Sequence, residues 1–249
     1  MSKVSMNPVF KSVILSSILL FSLPALWAGT GNPTGKKVRT KTGYTYLYKE
    51  GKLEKKGYKS SLEIYDNRGL KTEEIYIDGK GEFVSEMTFS YSENGLPTKN
   101  IGLVNHKPVY FNWAYETDPE TGIIKKYHAD GQSKEYWLIK STVDGKIIRE
   151  EYYSGNSELD RVVEYRYNAL GNCESVAEYD GYLNLILVSE HSYENGRNTQ
   201  MVQKDKSGSV FYRAEFSYDD AGNLKSKTEY GADENPRTIT VFLYDYYQN

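Results

Sequence analysis

The stretch that decides the fold is Phe216-Ser217-Tyr218-Asp219-Asp220-Ala221-Gly222-Asn223-Leu224-Lys225-Ser226-Lys227-Thr228-Glu229-Tyr230. Before and after the turn at 219–222, aromatic or apolar side chains alternate with polar ones. Because successive side chains of a strand point to opposite faces, this period of two predicts a β-hairpin with one packed and one solvated face. Asp219 suits the start of a type I turn, and Gly222 supplies the positive φ that the turn exit requires.

Copies of this hairpin run through the chain from Tyr44 onward. The repeat is about 26 residues long and holds two strands and two turns. The glycines of the first turn series are Gly51, Gly69, Gly95, Gly122, Gly145, Gly171, Gly196 and Gly222. A second series lies between them and includes Asp78-Gly79 and Asp180-Gly181, pairs that are typical of hairpin turns.

The repeats predict an all-β protein. We expect an antiparallel meander of about 15–17 short strands, with no domain boundary within 44–249. A flat sheet of this many strands is unusual, so the sheet has to twist, coil or close on itself. The sequence leaves a twisted sheet and a coiled or partly closed shell as alternatives.

The N-terminus has the features of an export signal. Lys3 and Lys11 form a basic start, and the apolar segment 13–23 is too short to span a bilayer as a helix. We predict a signal peptide over 1–28, a flexible basic linker over 29–43 and a repeat domain over 44–249. The mature chain is then expected to lack a transmembrane helix, to be monomeric, and to be periplasmic, on the cell surface or secreted.

The charge of the mature chain bears on its partners. Removing the signal peptide leaves 31 − 2 = 29 basic and 34 acidic residues, a net charge of −5. A net acidic chain with interspersed signs argues against nucleic acid as a partner.

The turn sequence resembles the YD repeats of the RHS family. The motif is Tyr218-Asp219-Asp220-Ala221-Gly222-Asn223-Leu224, and weaker copies lie at 65–70 and 167–172. In that family the repeats form β-hairpins that coil into a shell, and large members enclose a C-terminal toxin. The resemblance covers the repeat portion alone, since the chain is much shorter than a full shell and shows neither a toxin nor a core domain. It implies a stand-alone repeat module.

The sequence shows no motif for catalysis, a cofactor or a metal. His106, His128 and His191 do not lie at metal-ligand spacing, and the single cysteine, Cys173, excludes an internal disulfide. The acidic turns lack the alternating ligands of a calcium loop, and their Asp and Asn are explained by turn hydrogen bonds. We therefore predict a protein that is not an enzyme and has no cofactor.

Tyrosine is the strongest functional feature, with 24 Tyr against 8 Phe. A tyrosine ring has a flat apolar face and a polar tip, which suits interfaces, although cross-strand aromatic pairs also stabilise sheets. The candidate binding aromatics are Tyr91, Tyr115, Tyr167, Tyr193 and Tyr218.

The sequence favours a secreted or periplasmic, non-catalytic module that binds a glycan or a protein at the cell envelope. Two alternatives stay open. The first is an outer-membrane β-barrel, which fits the leader and the strand count. The second is a hydrolase of envelope polysaccharide, which would need cross-strand carboxylates with a raised pKa.

Overall fold

The computed structural model describes residues 36–91, 93, 97–104, 107–117, 123–128, 136–141, 146–153 and 158–248, with side chains at 36–91, 93, 146–153 and 158–248. It is a single antiparallel sheet of seventeen strands. The strands are β1 Val38–Lys49, β2 Lys52–Leu53, β3 Tyr58–Tyr65, β4 Lys71–Ile77, β5 Phe83–Tyr91, β6 Pro97–Val104, β7 Lys107–Thr117, β8 Ile123–His128, β9 Tyr136–Ser141, β10 Ile147–Tyr153, β11 Leu159–Tyr167, β12 Cys173–Asp180, β13 Leu185–Glu194, β14 Arg197–Asp205, β15 Val210–Tyr218, β16 Leu224–Gly231 and β17 Pro236–Tyr246. None of the described residues forms a helix of the length and apolarity needed to cross a membrane.

The strands pair in the order of the chain. From β3 to β17 each strand pairs with the next, and β1 pairs with both β3 and β17. The order of paired strands is therefore circular, and each strand other than β2 has a paired neighbour on both sides. The predicted all-β antiparallel meander is confirmed. Pairing the first strand with the last also leaves no long unpaired edge, which would otherwise favour aggregation.

Strand β1 begins earlier than the sequence predicts. It starts at Val38, so residues 38–43 belong to the sheet and not to a flexible linker. The Lys41 ammonium lies 2.7 Å from Glu63 Oε1 and 4.6 Å from the centre of the Phe242 ring. Because these partners are distant in the sequence, the residues around Lys41 read as a basic segment, and the local sequence pattern does not indicate a strand.

Six hairpin turns of the described residues share one hydrogen-bonded form. Each begins with an Asp or Asn whose Oδ1 accepts the backbone N–H of the fifth residue, at 2.8–3.1 Å. The first residues are Asp66, Asp78, Asn168, Asp180, Asp205 and Asp219. The fourth residue has a positive φ, between 63° and 87°. The second glycine series therefore needs a correction, because the left-handed residues are Gly81 and Leu183 and not Gly79 and Gly181.

The turn glycines of the first series fall into two groups. The described ones have φ between 73° and 87° and are Gly51, Gly69, Gly171, Gly196 and Gly222. Gly95, Gly122 and Gly145 lie outside the described residues.

Replacing Gly222 by valine is expected to lower the free energy of unfolding by about 2 kcal/mol. Gly222 has φ +80°, which a β-branched residue resists, and a Cβ there would lie 3.0 Å from Arg197 Nη2. Chemical denaturation measures the loss. Gly79→Ala is the control, because its Cβ would lie 3.6 Å from the Tyr58 ring and its φ is not positive. An equal effect of both substitutions would contradict the turn assignment.

One face of the sheet, the packed face, holds most of the buried side chains. Its buried apolar residues are Val163, Tyr165, Val176, Leu187, Ala214 and Leu224, and its buried polar residues are Thr45, Glu63, Glu74, Glu150, Ser189, Gln203 and Thr240. Polar groups are thus at least as numerous as apolar ones. Since a buried polar group is costly unless it is hydrogen-bonded, this core depends on the pairing of its polar atoms.

Candidate functional site

A repeated tyrosine contact runs along the packed face near one set of turns. In five hairpins a tyrosine hydroxyl donates to the backbone carbonyl of the residue 20 positions earlier, at 2.7–2.9 Å. The pairs are Tyr91 with Lys71, Tyr167 with Ile147, Tyr193 with Cys173, Tyr218 with Asn198, and Tyr244 with Leu224. We call these contacts the tyrosine staples. A further hydroxyl, that of Tyr247, donates to the Tyr65 carbonyl at 2.6 Å.

Each accepting carbonyl lies at a β-bulge at the start of a strand. Between β11 and β12, for example, Arg166 pairs with Ser175 and Tyr167 with Cys173, so that Glu174 is skipped. The same skip occurs at the other four acceptors. A bulge disrupts the ladder locally, and the tyrosine of the next strand supplies a donor at that point.

Removing one staple is expected to destabilise the sheet. Tyr218→Phe deletes the hydroxyl that donates to the Asn198 carbonyl and keeps the ring. We expect the free energy of unfolding to fall by about 1–2 kcal/mol, because a partly buried carbonyl loses its donor. Tyr182→Phe is the matched control, since Tyr182 is 89 % exposed. Equal midpoints of urea denaturation for the two variants would contradict the role of the staple.

The staples bear on the candidate binding aromatics. Four of the five, Tyr91, Tyr167, Tyr193 and Tyr218, are partly buried and use their hydroxyls as staples. Burial raises the pKa of Tyr91 and of Tyr193 to about 12, as expected for phenols removed from water. The side chain of Tyr115 lies outside the described residues. The structure thus gives these tyrosines a role in the sheet, and a role in binding stays a prediction.

A buried ionic cluster joins β1, β3 and β4. The Lys71 ammonium lies 2.9 Å from Glu74 Oε2 and 3.6 Å from Glu63 Oε2, and the ammonium of Lys41 contacts Glu63 on the other side. The hydroxyls of Tyr65 and Tyr76 donate to Glu63 and Glu74 at 2.5 and 2.6 Å. Burial opposes the ionisation of Glu63, but the two lysines outweigh it and lower its pKa to about 2.

This ionic cluster has the wrong chemistry for general acid catalysis. Glu63 and Glu74 are opposite each other on β3 and β4, but Lys71 bridges them and Glu63 stays ionised. A catalytic acid needs a raised pKa and access to substrate. The cluster instead resembles a structural ion pair with satisfied hydrogen bonds.

Among the carboxyl groups that the structure describes, one has a raised pKa. Burial raises the pKa of Glu178, and Arg161, 4.0 Å away, works against the rise. The residues opposite Glu178 on the neighbouring strands are Val163 and Leu187. Glu178 therefore has no carboxylate directly across from it, and a glycosidase dyad is not formed there.

The histidine and cysteine that the structure describes are both on the packed face. His191 Nδ1 lies 2.9 Å from Asn198 Nδ2, and His191 Nε2 is buried without a partner. Burial raises the pKa of Cys173 to about 11, so this thiol is not activated. Among the described residues, no three His, Cys, Asp or Glu side chains come together as a metal site.

The turn at 180–184 exposes large apolar side chains. Tyr182 is 89 % exposed, Leu183 is 56 % exposed, and Ile186 of the following strand is 44 % exposed. Leu183 has φ +63°. The other five turns of this form have glycine at the same position, with φ between 80° and 87°. A leucine in the left-handed region costs about 1–2 kcal/mol, so the turn carries backbone strain together with exposed apolar surface.

An open cleft lies beside this turn. It is lined by Asp180, Leu183, Asn184, Leu185, Ile186, Asp205 and Lys206. Asn184 Nδ2 donates to Asp180 Oδ2 at 3.0 Å, so the two polar side chains are held in place by the turn. Asp180 and Asp205 both have a lowered pKa, first through side-chain hydrogen bonds from Asn184 and Ser207, and stay ionised. Sequence analysis missed this site because the Asp-Gly pair suggested an ordinary turn. The signal that could have shown it is the leucine in place of a repeat glycine.

No protein-family model matches the chain, and no curated protein does. Among solved structures it is similar to a porin-like protein from Bacteroides vulgatus, at 11 % identity and TM-score 0.37, with 84 % of this chain and 99 % of that chain covered. It is also similar to a porin-like protein from Bacteroides uniformis, at 8 % identity and TM-score 0.33, with 82 % and 97 % covered. A third match is TcdB2-TccC3 without its hypervariable C-terminal region, at 14 % identity and TM-score 0.32, with 79 % of this chain and 11 % of that one covered. Similarities at this level do not assign the chain to a family.

Proposed function

We propose that the protein is an exported, non-catalytic β-repeat module that binds a glycan or a protein at the cell envelope. The observation that carries the proposal is the turn at 180–184, where Tyr182 and Leu183 are exposed at a strained position. Strained backbone is retained where it serves a function, and exposed aromatic residues are enriched in binding sites.

The chemistry of the cleft favours a glycan as the ligand. A sugar offers hydroxyl groups to the carboxylate and amide of Asp180 and Asn184, and its C–H face can pack on Tyr182 or Leu183. Because the turn already holds Asp180 and Asn184 by hydrogen bonds, little side-chain entropy is lost on binding. A protein partner would use the same turn, with Tyr182 as the anchor.

The polysaccharide hydrolase is less well supported than the binding module. The described carboxylates on opposite strands are bridged by a lysine or lack a carboxylate across the strand pair. A binding module needs no such pair.

The membrane-embedded alternative is disfavoured by the face of the sheet opposite the packed face. Arg149 on that face lies 2.7 Å from Glu151 Oε1 and 2.5 Å from Glu164 Oε1. Arg213 and Glu215 form a second ion pair there, and Tyr230 donates to Glu215 at 2.6 Å. A strand surface in contact with lipid requires a continuous apolar band, which these ion pairs would interrupt.

The proposal is tested by binding measurements on the purified protein. Wild type and Tyr182→Ala are compared on immobilised envelope glycans and on immobilised envelope proteins. We expect wild type to bind one of the two sets and Tyr182→Ala to lose at least about fivefold in affinity, since an exposed aromatic anchor is worth upwards of about 1 kcal/mol. Ser217→Ala, at an exposed position of another strand, is the control. Binding that is unchanged by Tyr182→Ala would overturn the assignment of this turn.

A further inference from the structure

A short hairpin lies outside the circular sheet. The pairing of β1 with β17 ends at Leu47, and its pairing with β3 ends at Thr45. Beyond these points the chain turns at Glu50-Gly51, and β2 returns against Tyr48 and Lys49 alone. We call residues 46–57 the flap. Its first residues, Tyr46 and Leu47, still pair with β17, and inside the flap the Glu54 N–H donates to the Leu47 carbonyl at 2.9 Å.

The exit of the flap is fixed against β1. A Cβ on Gly57 would lie 2.9 Å from the Thr45 carbonyl oxygen and 2.7 Å from the ring of Tyr46. The chain therefore passes β1 too closely for any side chain at this position. This contact fixes the end of the flap beside β1.

The flap is basic although the protein is acidic. Residues 46–57 contain four lysines and two glutamates, a net charge of 4 − 2 = +2, whereas the whole chain has a net charge of −3. All four of these lysines are exposed: Lys49, Lys52, Lys55 and Lys56. The charge of the protein is thus unevenly distributed, with a cationic projection on an anionic body.

The flap also exposes two leucines among these lysines. Leu47 is 41 % exposed and Leu53 is 46 % exposed. Segments that bind the surface of an anionic bilayer combine exposed apolar side chains with several lysines. The apolar side chains enter the boundary between headgroups and acyl chains, and the lysines contact the headgroups. A soluble polyanion would attract the lysines but would provide no apolar region in which the leucines could be buried.

We propose that the flap docks the protein on a membrane surface that carries anionic lipid headgroups. Binding is peripheral: no part of the sheet enters the bilayer, and the lysines supply most of the attraction. It is independent of the turn at 180–184, so the protein can hold its ligand whether or not the flap is docked.

Vesicle sedimentation tests the proposal, with the purified protein and vesicles of phosphatidylglycerol and phosphatidylcholine in equal parts. We expect binding that weakens as salt is raised and is absent from phosphatidylcholine alone. Lys52/Lys55/Lys56→Gln should lose at least about tenfold in affinity. The matched control, Lys80/Arg166/Lys225→Gln, removes the same charge from exposed sites elsewhere and should keep the affinity.

Leu53→Ser separates lipid from other polyanions. We expect it to weaken vesicle binding several-fold and to leave thermal stability unchanged, since Leu53 is already half exposed. Equal losses in the two triple variants would overturn the proposal, because they would show a response to net charge alone. No effect of Leu53→Ser, together with equally tight binding to soluble heparin, would overturn it in favour of an anionic polysaccharide.

Discussion

Lys71→Met is expected to lower the free energy of unfolding by about 3–5 kcal/mol, the largest loss that we expect from one substitution. Methionine keeps the length of the side chain but removes the charge that lies between Glu63 and Glu74. The side chain of Glu63 is 9 % exposed and that of Glu74 is 3 % exposed. Each carboxylate would therefore stay buried with one partner fewer. Denaturation by urea at neutral pH measures the loss.

The control for this substitution is Lys204→Met. Lys204 lies 2.6 Å from Glu190 Oε2, but the two side chains are 32 % and 50 % exposed. Solvent screens such a pair, and its removal should cost less than about 1 kcal/mol. The loss in Lys71→Met should shrink as pH falls through the carboxyl range, because protonation relieves the uncompensated charge. A loss equal to that of Lys204→Met at neutral pH would contradict a buried cluster.

The second large effect is a loss of stability in mild acid that depends on His191. Burial lowers the pKa of His191 from 6.5 to about 4. Above pH 6.5 the imidazole is neutral in both the folded and unfolded states. As pH falls from 6.5 to 4 the unfolded state takes up a proton and the folded state does not, so the free energy of unfolding falls by about 2–3 kcal/mol. Below pH 4 this group contributes no further change.

His191→Phe should remove this pH dependence. The repeat has phenylalanine at the same place in Phe89-Ser-Tyr91 and Phe216-Ser-Tyr218, so the ring should be accommodated. The comparison is the slope of the free energy of unfolding between pH 6.5 and 4 in wild type and variant. Glu63 does not affect this comparison. Its pKa is lowered to about 2, so its contribution to the free energy of unfolding is lost below pH 4.5. An unchanged slope in His191→Phe would contradict the burial of this imidazole.

The sequence predicted the local structure well because hairpins are encoded locally. Alternation around Gly222 and the Asp or Asn that begins the six similar turns determine strand and turn within about ten residues, and the structure contains both. Contacts between distant residues were not readable in this way. The pairing of β1 with β17 depends on residues such as Thr45 and Thr240, whose hydroxyls are 2.7 Å apart although 195 positions separate them.

The candidate site was harder to predict than the fold. Tyrosines at regular repeat positions suggested a binding row, but regularity also serves the staples, each of which joins two residues 20 positions apart. The exposed turn at Tyr182 is a departure from the repeat. A departure carries less signal than a repeat when a single sequence is read, because the Asp180-Gly181 pair suggests that the glycine takes the positive φ, whereas Leu183 takes it.

The measurement that tests the central claim most directly is fractionation of cells that produce the native protein. The claim is that the chain is exported and acts as a detachable binding module. We expect the protein outside the cytoplasm, either free or on membranes from which a salt wash releases it without detergent. Retention in the cytoplasm would contradict export, and release by detergent alone, with gel migration that changes on boiling, would show a protein embedded in the membrane.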